Sequence, residues 1–247
     1  MNQPQKHYNV ILIGDDCIDE YHYGRADRLS PEAPVPIFCP TRIETKNGMA
    51  ANVKDNLENL GLNVKFYHSQ QSVKRRIVHE RTGQHLLRID NDALCTPIRY
   101  EDIDFTAADA VVVSDYNKGT VTYELIEELQ DKIRIPVFVD TKKTDLGRFS
   151  GCYVKINEIE YANRITDCPH MIVTRGGSSV IYRGKEYSVP VVPVFDVCGA
   201  GDTFLAALVY KFIDTNSIDE GIRFAVKAAG VTVQHVGVYA PTLEEIK

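Results

Sequence analysis

The sequence lacks the patterns that mark several large classes of protein. No apolar stretch approaches the ~20 residues needed to cross a bilayer, and no apolar signal-peptide core precedes the first predicted strand. We therefore expect a cytoplasmic protein with no membrane partner. The six cysteines include no Cys-x-x-Cys pair, which favours reduced, mostly buried thiols over a disulfide framework. The seven histidines show no metal-ligand spacing.

The chain also has fewer basic than acidic side chains. The 247 residues carry 28 Lys and Arg against 34 Asp and Glu, a net charge of −6. Nucleic-acid binding requires a basic surface, so this balance argues against a nucleic-acid partner, although it permits a cationic pocket for one small phosphorylated molecule. No G-x-x-x-x-G-K-[ST] segment occurs, which excludes a Walker-type phosphate loop.

The sequence does contain an alternation of apolar strands and helices. We predict strands at residues 8–13, 110–114, 136–140, 152–155 and 171–174, and helices at residues 50–60, 121–129, 158–164, 203–213 and 218–233. This alternation is typical of an α/β fold with a doubly wound, mostly parallel sheet covered on both faces. Because no linker or internal repeat interrupts it, we expect a single domain over residues 1–247.

A small β lid is predicted beside the main sheet. The prolines between residues 31 and 40 disfavour a helix, and residues 74–81 and 85–90 flank a turn that predicts a β-hairpin. Parts of residues 17–46 and 72–90 would therefore form the lid. Because exposed strand edges usually find a partner, we expect the lid to pair with its copy in a homodimer. The apolar residues for that contact are Val35, Ile37, Phe38 and Ile43.

Polar residues follow most of the predicted strands of the main sheet. They are Asp15, Asp16, Ser114, Asp115, Asp140, Asn157 and Thr174. In parallel sheets, ligands bind at the carboxyl ends of the strands. Packing alone does not explain such a series, so it predicts a ligand site at this edge.

The strongest local signal for chemistry is residues 196–203, DVCGAGDT, which precede an apolar helix. Small residues expose backbone N–H groups, and a helix N-terminus adds positive potential, so the segment is suited to hold a phosphoryl group. Asp202, at the helix entrance, could then accept a proton from an attacking hydroxyl. The alternative is that Asp202 only caps the helix.

Residues 196–202 resemble the D-x-x-G-A-G-D signature of the PfkB/ribokinase family. Further ordered segments resemble the same family: 14–19 (GDDCID), 47–52 (NGMAAN), 157–160 (NEIE) and 173–177 (VTRGG). Together they cover nearly the whole chain. The resemblance implies a ribokinase-like fold and an ATP-dependent sugar kinase that uses Mg²⁺.

The resemblance also implies a role for individual positions. Asp202 would be the catalytic base, and the backbone of Gly199, Ala200 and Gly201 would hold the γ-phosphate. The sugar would be bound by Asp19, Gly48 and Asn52, and the nucleotide by Thr174, Gly176 and Gly177. Mg²⁺ would be held through water by Asn157 and Glu160. Asp196 is a candidate for binding a monovalent cation such as K⁺, the alternative being a loop hydrogen bond.

The substrate-side segments resemble those of bacterial heptose 7-phosphate kinases. These segments are 28–36 (RLSPEAPVP), 81–90 (RTGQHLLRID) and 114–119 (SDYNKG). They imply transfer to O1 of a heptose 7-phosphate, giving the 1,7-bisphosphate. Arginine binds phosphate through a bidentate fork. The candidates for the phosphate already on the substrate are Arg25, Arg28, Arg88 and Lys118, each of which could instead be a solvated surface charge.

The chain also departs from the family pattern. Met49 stands where the second glycine of a pair is usual, and Thr141 stands where proline is usual. Few residues separate Tyr67 from Arg75, or Glu160 from Met171, so we expect a trimmed sheet. The alternatives are a kinase for another sugar or sugar-like molecule, and an inactive sugar- or nucleotide-binding relative.

Overall fold

The computed structural model describes residues 7–246 and contains two β-sheets and five α-helices. The strands are β1 (Asn9–Gly14), β2 (Asp16–Leu29), β3 (Pro36–Met49), β4 (Asn63–Tyr67), β5 (Gln71–His79), β6 (His85–Asn91), β7 (Ala110–Asp115), β8 (Val137–Thr141), β9 (Tyr153–Asn157), β10 (Met171–Thr174), β11 (Ser179–Tyr182) and β12 (Lys185–Ser188). The helices are α1 (Ala50–Asn59), α2 (Tyr123–Lys132), α3 (Glu158–Asn163), α4 (Ala200–Thr215) and α5 (Ile218–Thr232).

The main sheet has eight strands in the order β12-β11-β10-β9-β8-β7-β1-β4. The six strands from β10 to β4 run parallel, and β11 and β12 complete one edge as an antiparallel hairpin. Side chains of α1, α4 and α5 cover one face of this sheet, and side chains of α2 and α3 pack on the other. The predicted doubly wound, mostly parallel fold is therefore confirmed.

The central strands explain why this sheet is buried on both faces. In β7, Val112 packs with the helices of one face, whereas Val111 and Val113 pack on the other. An apolar run without alternation is what such a doubly covered strand requires.

The lid is a separate four-stranded sheet with the order β3-β2-β5-β6. β2 and β3 are long antiparallel strands, and β5 and β6 form the predicted hairpin. β2 follows β1 after a single residue, and β3 runs directly into α1. The lid is thus joined to the main sheet beside the carboxyl end of β1.

Several predicted boundaries were wrong. α4 begins at Ala200 rather than at residue 203, which places Asp202 inside its first turn. β4, β11 and β12 were not predicted, because each is only four or five residues long, and β4 and β12 form the two edges of the sheet. No helix within residues 7–246 is both long and apolar enough to span a membrane.

Candidate active site

The carboxyl ends of the parallel strands meet at one edge of the main sheet. In register, Gly14 lies beside Ser114, Ser114 beside Asp140, and Asp140 beside Lys155. Asn157 and Thr174 are paired in the same way. The series of polar residues predicted from the sequence therefore lies along a single edge.

The N-terminus of α4 lies at this edge. Its first-turn N–H groups have no intrahelical acceptors, which makes this end of the helix suited to bind an anion. A Cβ built on Gly201 would lie 2.9 Å from the Lys155 Nζ, so the glycine allows an ammonium to approach the helix terminus. Gly201, in the first turn of α4, thus lies beside a positive charge.

Asp202 is only 7% exposed and is held from two sides. The Asn52 side-chain amide donates to its Oδ2 at 2.6 Å, and the Tyr116 hydroxyl donates to its Oδ1 at 3.3 Å. Burial raises the pKa of Asp202 to about 6, and the nearby Asp140 adds to the rise, while Asn52, Lys155 and Tyr116 oppose it. A carboxylate whose pKa lies near neutrality is suited to general-base catalysis.

Lys155 is a buried cation that the sequence analysis did not assign. It is 5% exposed, and its Nζ donates to Asp140 Oδ2 at 2.6 Å. Burial opposes its charge, but the Asp140 carboxylate raises the pKa of Lys155 above its ordinary value. A lysine inside the otherwise apolar strand β9 was the signal that could have identified it.

Asn157 and Glu160 form a capping box at the start of α3. Asn157 Oδ1 accepts from the Glu160 N–H at 2.9 Å, and Glu160 Oε2 accepts from the Asn157 N–H at 2.7 Å. Glu160 Oε1 also accepts from Lys142. Within residues 7–246, no cluster of three His, Cys, Asp or Glu is arranged to hold a metal. Asn157 and Glu160 thus place side-chain oxygens, the ligand type that Mg²⁺ takes, at the end of β9.

Thr174, Gly176 and Gly177 line a cavity of about 370 Å³ that also contacts the start of α4. Its walls are chiefly apolar and include Val180, Val189, Pro190, Val192, Val197, Phe204, Val226 and Ala229. An apolar cleft with a few polar groups at one end suits a flat ring attached to a charged tail.

Asp19 and Gly48 face each other across the base of the lid. A Cβ on Gly48 would lie 2.8 Å from Asp19 Oδ2, so only glycine leaves that carboxylate room. Arg76, which the sequence analysis missed, donates to Asp19 Oδ1 at 2.5 Å. Asn52, which donates to Asp202, lies in the first turn of α1, directly after the strand that carries Gly48.

Two of the four candidate phosphate-binding cations form ion pairs, and the other two are exposed. Arg88 lies opposite Arg76 in the lid and forms a bidentate pair with Asp90, while Lys118 pairs with Asp92 at 2.5 Å. Arg25 and Arg28 are exposed in the part of β2 remote from Asp19. The structure thus brings Arg88, but not Arg25 or Arg28, to the Asp19 region.

Asp196 connects two loops. Its Oδ1 accepts from the Cys198 N–H at 3.0 Å and its Oδ2 from the Gly237 N–H at 2.8 Å. Burial opposes the charge, but these backbone donors lower the pKa of Asp196. The loop hydrogen bond considered as the alternative is therefore present, and K⁺ binding stays a prediction.

Met49 adopts a backbone conformation suited to glycine, with φ 51° and ψ −131°. The Met side chain is buried although the backbone is strained. The departure from the family pattern thus falls at the point where the lid joins α1.

Comparison with known proteins identifies relatives along nearly the whole chain. Residues 155–246 match the model of the pfkB family carbohydrate kinases. The bifunctional protein HldE of Hyphomonas neptunium is 29% identical over 303 aligned positions, which cover 96% of this chain and 62% of the relative. HldE of Helicobacter pylori is 28% identical, with coverage of 96% and 65%. The chain thus spans less than two thirds of these relatives' length. Because the alignment is longer than the chain, the relatives carry residues that it lacks.

Solved structures share the fold at low sequence identity. Ribokinase from Thermotoga maritima has a TM-score of 0.69 at 14% identity, with 97% of both chains covered. Arabidopsis thaliana ribokinase, solved with ribose and ATP, has a TM-score of 0.69 at 15% identity, again with 97% of both covered. The chain therefore has the ribokinase-like fold, and its residues 155–246 match the pfkB family of carbohydrate kinases.

Proposed function

We propose that the chain transfers the γ-phosphate of ATP to a hydroxyl of a sugar phosphate, with heptose 7-phosphate as substrate and O1 as acceptor. The observation that carries this proposal is Asp202. It is a buried carboxylate with a pKa of about 6, placed in the first turn of α4 and bound by Asn52 from the first turn of α1.

In the proposed reaction, the sugar hydroxyl lies beside Asp202 and transfers its proton to that carboxylate as its oxygen attacks the γ-phosphorus. The bond from that phosphorus to the β–γ bridging oxygen breaks, and ADP leaves. The first-turn N–H groups of α4 and the Lys155 ammonium stabilise the charge on the transferring group. Fixed donors of this kind act without reorganisation in a buried site. Positioning and electrostatics therefore supply most of the rate enhancement, and Asp202 manages one proton.

The nucleotide would occupy the apolar cavity lined by Thr174, Gly176 and Gly177, with its phosphates directed towards α4. Mg²⁺ would be held by those phosphates and by water contacting Asn157 and Glu160, and it would neutralise phosphate charge. K⁺ would be held near Asp196. The Arabidopsis relative was solved with ATP and ribose, and phosphofructokinase-2 from Escherichia coli was solved with potassium. Both share the fold of this chain.

The sugar would lie between Asp202 and the lid, with its hydroxyls oriented by Asp19, Gly48 and Asn52. Lys74, Arg76 and Arg88 lie on the lid face that carries Asp19, since Asp19 is paired with Lys74, and Arg76 with Arg88. A phosphate on the substrate would complement these cations. A phosphorylated sugar therefore suits this face better than a neutral one, because its phosphate can pair with these cations.

ADP release tests the proposal, with heptose 7-phosphate, free heptose, fructose 6-phosphate and ribose as acceptors. Heptose 7-phosphate should be turned over fastest, because its phosphate can pair with the lid cations, whereas the unphosphorylated sugars leave that pairing unmade. Faster turnover of a free sugar would contradict the heptose assignment and leave the kinase assignment intact. ATP binding without sugar-dependent ADP release with any acceptor would indicate an inactive, nucleotide-binding relative.

A further inference from the structure

Tyr116 contacts the base, yet neither the sequence motifs nor the proposed reaction gives it a role. It lies in the loop that follows β7, and its hydroxyl donates to Asp202 Oδ1 at 3.3 Å. The other carboxylate oxygen is bound by Asn52. Each oxygen of the base thus has one donor from a different part of the chain.

The backbone around Tyr116 is fixed by a buried carboxylate. Asp15 is fully buried, and its Oδ2 accepts from the Tyr116 N–H at 2.8 Å and from the Lys118 N–H at 3.1 Å. Its Oδ1 accepts from the Thr120 N–H at 3.2 Å. Because Asp15 follows β1 directly, the tyrosine ring is held relative to the central strands of the sheet.

The ring of Tyr116 also connects the lid with the magnesium side of the site. The Nζ of Lys74, from β5 of the lid, lies 5.9 Å from the ring centroid, and the Nζ of Lys142 lies 5.5 Å from it. Both distances are within the range of cation–π attraction. Lys142 in turn pairs with Glu160.

We propose that Tyr116 is a positioning residue for the base: its hydroxyl orients the Asp202 carboxylate and keeps it ionised in a buried site. This inference rests on the proposed function of Asp202 as the base. A phenol that donates to a carboxylate stabilises the charged form. The charge of Asp202, with burial, raises the pKa of Tyr116 well above its ordinary value, so the hydroxyl stays a donor.

Other charged groups face the same carboxylate and remain unchanged when the hydroxyl is removed. Asp140 on β8 raises the pKa of Asp202, and Lys155 on β9 lowers it. Glu160 on α3 faces the Tyr116 ring, which Lys74 and Lys142 also contact. A variant that lacks only the hydroxyl therefore isolates one hydrogen bond among these charges.

The test is Tyr116→Phe, read out in two independent ways. The first is the pKa of Asp202, followed by the carboxyl ¹³C shift of the full chain labelled at aspartate, with the signal assigned by its loss in Asp202→Asn. We expect a rise of about half to one pH unit, because one hydrogen bond to a charged group is lost. The second is the acidic limb of kcat/KM, which should move upwards by the same amount.

Tyr123→Phe is the matched control. The Tyr123 hydroxyl accepts from the Asp145 N–H at 3.2 Å, away from the base, so both readouts should stay at their wild-type values. An unchanged Asp202 pKa in Tyr116→Phe, or a uniform loss of kcat/KM without a shift of the limb, would overturn the inference. Absence of sugar-dependent ADP release by the wild type would instead refute the proposed function, and the carboxyl titration would still decide the role of Tyr116.

Discussion

The side chains proposed to carry the chemistry are charged groups whose burial costs folding stability. Asp202 and Lys155 are charged side chains in the interior, where an ion is expensive unless it is paired. Lys155 has Asp140 as partner, whereas Asp202 relies on uncharged donors from Asn52 and Tyr116. The carboxylate is therefore destabilised, which makes it a better proton acceptor.

We predict that Asp202→Asn abolishes phosphoryl transfer and leaves ATP binding nearly intact. Loss of general-base catalysis typically costs ~10²–10⁴-fold in rate. The measurements are ADP release with saturating sugar phosphate and calorimetric ATP binding. In the wild type, activity should fall as the pH drops below about 6, where Asp202 becomes protonated. Near wild-type turnover by the variant would show that Asp202 is not the base.

The same substitution should also change the free energy of unfolding, by an amount that depends on pH. The pKa of Asp202 is raised in the folded state to about 6 from 3.8, so the stability of the fold falls as pH rises between these two values and is constant above about pH 6. At pH 8, Asp202→Asn should therefore be more stable than the wild type, by at most roughly 3 kcal/mol. The difference should vanish towards pH 4, where both side chains are neutral. Urea unfolding at the two pH values measures it, and equal stabilities at pH 8 would contradict the raised pKa.

Sequence motifs proposed roles for residues in short local patterns, but they did not point to residues that pairing between strands brings to the site. Asp202 and Glu160 belong to short patterns that can be read directly. Lys155, Arg76 and Tyr116 acquire their positions only when β8 pairs with β9, β2 with β5, and the loop after β7 with Asp15. No short stretch of sequence shows which distant strands pair or which of their residues lie side by side.

At the level of elements, the long apolar strands and helices were predictable and the edge strands were not. β1 and β7 have continuous apolar runs, whereas β4 and β12 mix charged and apolar residues because one side faces solvent. The lid hairpin was predictable from its turn. The length of β2 was not, because its polar residues pair with β3 and β5 rather than entering a core.

The lid should determine recognition of the substrate phosphate. Arg88→Met is expected to raise the KM for heptose 7-phosphate by about 10–100-fold with little change in kcat, since a bidentate contact of about 1.5–3 kcal/mol is lost. Steady-state ADP release measures this. Arg99→Met is the control, because Arg99 also forms a bidentate pair, with Asp102, outside the lid. An equal effect in both variants, or an equal effect on free heptose, would contradict the assignment.

At the scale of the whole molecule, the outer face of the lid provides the surface for the proposed homodimer. Across the sheet, Ile43 lies beside His22, His22 beside Ile77, and Ile77 beside Leu87. The side chains of Ile43 and Leu87 are 58% and 57% exposed. This face is opposite the one that carries Asp19, because side chains alternate along a strand. Pairing of two lids through it would bury the apolar row and leave Asp19 facing the sugar.

We predict that the protein is a dimer at tens of micromolar and that Leu87→Glu makes it a monomer. A buried glutamate at this face would place an unpaired charge against apolar side chains in each copy, which is strongly unfavourable. Light scattering coupled to size exclusion measures the mass. Ile165→Glu is the matched control, since Ile165 is 76% exposed and lies outside the lid; it should leave the dimer intact. A monomeric wild type, or a Leu87→Glu variant that remains dimeric, would show that the lid face is not the interface.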